Sequence, residues 1–238
     1  GFSFSQFNRT FLHSSWTSPN NAFTSYSYYD SQNKVNMITV QGSASGETNI
    51  ITQRISDRGD LESYDQQAYG VTLPTSTQHS LLLTALEQGS VRYMVLGVGN
   101  TSTMKLVWLK VNKNTGALIS THTSLSNYRS SYFEPKLVNN ELVGYFYKSG
   151  SGITRVALDI NSFSAATEEL VSTNTAMTNF NNTTAFGFKN GNLFVVNGQE
   201  KVIWDTGNTS AILFSRTAPG TYTSANTGIT GQRSISSF

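Results

Sequence analysis

This chain of 238 residues has no cysteine, so it forms no disulfide and no thiolate metal site. Charge is scarce too. Asp, Glu, Lys and Arg make up 13% of the residues, about half the usual share. No run of Lys or Arg occurs, and the formal net charge is +2. Charges that few and dispersed give no electrostatic grip on nucleic acid. No apolar stretch approaches the roughly 18 residues of a membrane-spanning helix, so no membrane span is expected. Only four prolines occur, and no low-complexity linker divides the chain, which predicts a single domain over residues 1–238. The chain begins with Gly1, and no charged segment followed by an apolar one comes after it. A processed form, or a piece of a longer protein, is therefore expected.

What is present is a strand-forming, uncharged polar composition. Apolar residues make up 37% and aromatics 12%. The polar surface must be built from Ser, Thr, Asn and Gln. Four segments repeat one pattern, in which two β-prone runs flank a tight polar turn and a third follows a looser Gly/Ser/Asn loop. The second runs are KVNMITVQG from Lys34, VRYMVLGVG from Val91, ELVGYFYKSG from Glu141 and NLFVVNGQ from Asn192, at intervals of 57, 50 and 51 residues. Such a period with several strands per unit marks propeller blades or a related β-array. The fold class expected is all-β, a β-propeller-like array of four antiparallel blades. Five blades are the alternative count. The rival architectures are a β-sandwich pair and a spike that closes only as an oligomer. Residues 164–170 (SAATEEL) are the best candidate for a short helix. The segments at 2–12 and 229–238 alternate like outer strands and could together complete one blade.

In a propeller the first-to-second and third-to-fourth strand turns share one face. The second-to-third loops and the segments leading into each blade share the other. Those leading segments, 16–22, 62–78, 121–132 and 172–184, are long and polar, so this face is expected to carry binding. Its candidate ligand-binding residues are Trp16, Tyr64, Tyr69, Asn127, Tyr128, Arg129, Tyr132, Asn181 and Asn182. Rings that stack on sugar faces, ringed by amide and guanidinium donors, suit a neutral glycan. Aromatics and Arg also anchor protein interfaces.

Other motifs carry less. Arg58-Gly59-Asp60 resembles the attachment tripeptide of integrin ligands, although Gly-Asp is also ordinary turn chemistry. His13, His79 and His122 lie far apart without acidic partners, and no metal or cofactor is expected. Glycoside cleavage needs paired carboxylates. Asp30, Glu87 and Glu134, at strand edges, are the acids that could converge. No nucleophile elbow and no calcium loop is present. Glycosylation sequons occur at Asn8, Asn100, Asn181, Asn182 and Asn208.

Gly116 in NKNTG, after VWLKV, resembles the strand–turn–strand that closes propeller blades, but the signatures of kelch and WD40 repeats are missing. The polar, Cys-free, Gly/Ser/Thr/Asn-rich character resembles bacteriophage tail and spike proteins. That resemblance implies a receptor-binding protein on a virion surface or otherwise outside the cell. Its expected partners are a host-surface glycan or receptor and neighbouring virion subunits, with a homo-oligomer possible. The expectation is a recognition module that is not an enzyme. The alternatives are a structural subunit of an extracellular assembly and a polysaccharide hydrolase.

Overall fold

The computed structural model describes residues 22–30, 32–42, 48–69, 79–99, 103–173, 189–204 and 210–229. All regular structure among them is β, in four successive antiparallel meanders. Blade I comprises β1 (Ala22–Tyr29), β2 (Val35–Gly42), β3 (Thr48–Ile55) and β4 (Leu61–Tyr69). Blade II runs through β5 (His79–Gln88), β6 (Val91–Gly99), β7 (Met104–Asn112) and the first part of β8 (Leu118–Phe133). Blade III uses the end of β8, then β9 (Lys136–Val138), β10 (Glu141–Lys148), β11 (Gly152–Asp159) and β12 (Ala166–Ser172). Blade IV consists of β13 (Lys189–Val196), β14 (Gln199–Trp204), β15 (Ile212–Ala218) and β16 (Thr221–Asn226). The protein is an all-β, propeller-like array, as the repeat predicts.

The blades pack face to face, and each strand's alternation decides which side chain meets which neighbour. Blade II is buried on both faces, which explains its nearly unbroken apolar runs. Met94, Leu96, Val98, Val107 and Leu109 face Tyr28 and Ile38 of blade I. Their alternates Tyr93, Val95, Leu106 and Trp108 face Leu142, Phe146, Val156 and Leu158 of blade III. Blade III in turn presents Val143, Tyr145, Ile153 and Ala157 to Leu193, Val202, Trp204 and Phe214 of blade IV. Trp108 and Phe146 are fully buried. Each fully buried large apolar side chain contributes roughly 1.5–3 kcal/mol.

Turn chemistry closes the hairpins. Asn139-Asn140 and Asn197-Gly198 both carry two consecutive positive φ angles, 47° and 65°, then 51° and 75°. That is the two-residue turn whose twist matches paired strands, and Asn and Gly are the residues that adopt it.

Four expectations need correction. The segment 121–132, read as a long polar loop, is strand. β8 leaves blade II and enters blade III without a break, and Tyr128 is paired with Met104 on one side and Lys148 on the other. Likewise residues 62–69 belong to β4, whose polar side chains suit an outer strand rather than a loop. Residues 164–170 form no helix. Ala166–Ser172 is the outer strand of blade III, where Glu169 and Val171 face blade IV and Glu168 and Leu170 the other side. In blade IV the turn expected just before Asn192 is not formed: the residues before 189 lie outside those described, and 189–196 form the single strand β13. Its partner β14 lies beyond the Asn197-Gly198 turn.

Candidate functional site

Between blades III and IV, alternation brings charge into the core. In GITRVALD, Arg155 shares a face with Ile153 and Ala157 and so points at blade IV. In QEKVIW, Glu200 shares a face with the buried Val202 and Trp204 and points back at blade III. Arg155 is 2% exposed and Glu200 5%. The guanidinium donates to both carboxylate oxygens, Nε to Oε2 at 2.8 Å and Nη2 to Oε1 at 2.7 Å. The Tyr145 hydroxyl donates to Oε2 of the same carboxylate at 2.6 Å. Arg155 Nη2 also reaches Glu141 Oε2 at 3.0 Å.

A second fork lies beside the first. Arg216 donates to Glu169 through Nε at 2.9 Å and Nη2 at 2.6 Å, and the Tyr222 hydroxyl adds a bond of 2.8 Å to Oε2. Arg155 Nη1 lies 3.8 Å from Glu169 and so joins the two pairs. Forked guanidinium–carboxylate pairs are both strong and orienting.

Burial drives the Glu200 carboxyl up, but hydrogen bonds from Arg155 and Tyr145 override it and the net shift is downward. Burial acts on Glu169 in the same way, and Arg216 and Tyr222 pull it down to about 2. Burial is also the largest influence on both tyrosines, and with the neighbouring carboxylates it holds Tyr145 and Tyr222 protonated well above the ordinary phenol range. Both carboxylates are thus ionised at neutral pH, so neither is a proton donor poised for bond cleavage.

Above this network opens a cleft of about 290 Å³. Asn139, Asn197, Gln199, Glu200, Arg216 and Thr217 line it, with Ala218 and Pro219 as an aliphatic wall. Every lining residue comes from a first-to-second or third-to-fourth strand turn or its flank. The cleft therefore lies on the face opposite the one that the long-segment reading selects.

Of the residues nominated from sequence, Trp16, Asn181 and Asn182 lie outside the described residues, as do His13 and all five sequons. Tyr64 is on the outer strand of blade I with its ring 45% exposed, and Tyr69 ends that strand. Asn127 is exposed beside the blade III second-to-third turn, where its carbonyl accepts from Ser149 N at 3.1 Å. Arg129 is half-buried, and Tyr132, also on β8, pairs with Phe146 of β10. Tyr128 is fully buried against Phe146 in the blade II/III core, its hydroxyl donating to Glu168, so it is no exposed stacking ring.

The proposed acid set is not gathered by ion pairing. Asp30 is buried in blade I, where it accepts from Asn36 at 2.9 Å and Arg54 at 2.9 Å. Glu87 of blade II is bound to Arg92 and Lys113. Glu134 sits at the bend between β8 and β9. His79 and His122 lie on the first and last strands of blade II. Among the described residues no group of three or more His, Asp or Glu is placed to hold a metal ion. The Arg155–Glu200 pair was missed. Its signal in the sequence is a single charge at a core-facing position of an alternating strand, occurring twice with opposite sign.

No protein-family model and no curated protein sequence matches this chain. Solved structures of related shape include the GH43_1 enzyme of Xanthomonas citri in complex with xylose, 7% identical, covering 94% of this chain and 78% of that one, at a TM-score of 0.38. A cobalt-substituted Synechocystis apocarotenoid oxygenase is 9% identical, with 88% of this chain covered, at a TM-score of 0.35. This chain spans half the length of that oxygenase. Both neighbours are enzymes, which runs against the expectation of a chain that is not one, but at such TM-scores they assign it no reaction, substrate or family.

Proposed function

We propose that this protein is a surface-recognition β-propeller that holds a neutral, hydroxyl-rich ligand, a glycan chain, in the cleft between blades III and IV. The observation that carries the reading is the chemistry of the lining. Three primary amides, Asn139, Asn197 and Gln199, and the Thr217 hydroxyl supply donors and acceptors without charge. The two charged residues are neutralised from behind, Glu200 by Arg155 and Arg216 by Glu169. The cleft thus offers no net field to a charged ligand, while Ala218 and Pro219 offer a wall for the C–H face of a sugar ring. Few convergent polar groups on a rigid frame are the usual build of a small-ligand site.

The finer reading places this module on a virion or another extracellular appendage, facing a host surface. Its support is compositional: 13% charged residues, no cysteine and a surface of uncharged polar side chains.

A glycan array followed by titration calorimetry tests the cleft. Saturable binding of a neutral oligosaccharide is expected. Gln199→Ala should weaken it at least tenfold and Ala218→Trp should abolish it by filling the cleft, both with unchanged unfolding temperature. A blank array, or binding indifferent to both variants, overturns the assignment.

A further inference from the structure

We propose that the Arg58-Gly59-Asp60 turn is a second, separate interaction site, which docks a protein receptor carrying a divalent cation beside an acidic recess. The turn joins β3 to β4 and is rigidly closed. Ser56 N donates to Asp60 O at 2.8 Å and Gly59 N to Ser56 O at 3.0 Å. The Ser56 hydroxyl oxygen accepts from Arg58 N at 3.2 Å and from Asp60 N at 3.0 Å. Gly59 has φ of 85°, a left-handed conformation that favours glycine, and it leaves the tip without a Cβ where a partner surface must approach.

Charge satisfaction sets this turn apart from the rest of its blade. Asp30, Lys34, Arg54 and Glu62 are joined in one network: Arg54 to Asp30 at 2.8 Å, Arg54 to Glu62 at 3.4 Å and Lys34 to Glu62 at 2.5 Å. Arg58 and Asp60, a few residues away, are exposed and make no ion pair with each other or with any other described residue. A chain poor in charge thus carries Asp57, Arg58 and Asp60 exposed on one tip, none of them in an ion pair among the described residues.

The chemistry of the tip specifies its partner. An exposed carboxylate loses hydration on docking, and an open coordination position on Ca²⁺, Mg²⁺ or Mn²⁺ replaces that hydration with a hard-cation bond. A guanidinium is satisfied by a carboxylate fork. Two residues apart and not touching each other, the pair requires a partner with a cation site and an acidic recess side by side.

The test is retention of the whole chain on a panel of purified integrin ectodomains in manganese buffer, since those receptors are available probes of this chemistry. Saturable binding to at least one is expected. Asp60→Glu, which moves the carboxylate by one methylene, should weaken it more than tenfold, and chelation with EDTA should remove it. Asp57→Asn, a neighbouring exposed charge, and Gln199→Ala in the cleft should leave it unchanged. Circular dichroism melting of each variant should match the parent chain. Failure of every receptor to retain the chain overturns the proposal. Equal loss in Asp57→Asn and Asp60→Glu, or indifference to EDTA, also overturns it.

Discussion

The blade II/III and blade III/IV interfaces solve one problem in two ways. Trp108, Leu106, Phe146, Leu142, Val156 and Leu158 make the first an apolar seam, with the Tyr128 hydroxyl bonded to Glu168 as its polar contact. Its tolerance is volumetric, since any side chain of similar shape meets its needs. The second has an equally buried apolar half around Trp204, Phe133 and Val202, but its other half is the Arg155–Glu200 fork with Tyr145. There, replacing a charged group requires replacing its partner too. A buried ion pair adds little net stability over apolar residues of equal volume, yet it strongly punishes a missing partner. The difference matters because the polar half of the second seam is also the floor of the cleft.

Three measurements sharpen that comparison. The largest expected effect is Glu200→Leu, which removes the buried forked partner of Arg155 and leaves it only Glu141 and the more distant Glu169, and should cost about 3–5 kcal/mol in denaturant unfolding. Adding Arg155→Met should recover most of that loss and turn the second seam into a copy of the first. A double variant as unstable as the single one would break the comparison. Next comes Leu158→Ala in the apolar seam, expected to cost about 3 kcal/mol through lost burial and a cavity. No second substitution of charge should rescue it.

The smallest effect is in acid. Glu169 titrates at about 2 in the folded protein against an ordinary 4.5, so below 4.5 the unfolded chain takes up protons that the folded one does not. Its contribution is complete above about pH 4.5 and is lost as pH falls through about 2. Glu200, lowered in the same direction, adds to this limb. Melting temperatures from pH 5 to pH 2 should fall less steeply for the Arg155→Met/Glu200→Leu variant than for the parent. Leu158→Ala should shift the whole curve without changing its slope. Parallel curves for all three would sink the pH assignment.

Much of the architecture could be read directly from residue patterns where packing is symmetrical. VRYMVLGVG and MKLVWLKV are apolar throughout because blade II is covered on both faces, and both are strands in the expected places. In blade IV an expected turn is strand for a local reason. KNGN resembles a turn, but Gly191 lies within β13, where a Cβ would strike the Ile203 carbonyl and the Phe133 ring. Its glycine serves close approach rather than reversal of the chain. The outer strand Ala166–Ser172 resembles a helix because Ala and Glu favour one, yet its two adjacent glutamates point to opposite sides as strand neighbours do, Glu168 to Lys148 and Glu169 to Arg216. The cleft was illegible for a different reason. Arg155 and Glu200 are separated by 45 residues, and only the pairing of two whole blades brings them together.

The continuous run of β8 has a mechanical consequence. At Tyr128 one polypeptide segment is hydrogen-bonded along both edges, so load applied to blade II passes into blade III through backbone rather than through a slack connector. The two middle modules should therefore rupture as a single event under tension and should resist proteolytic separation.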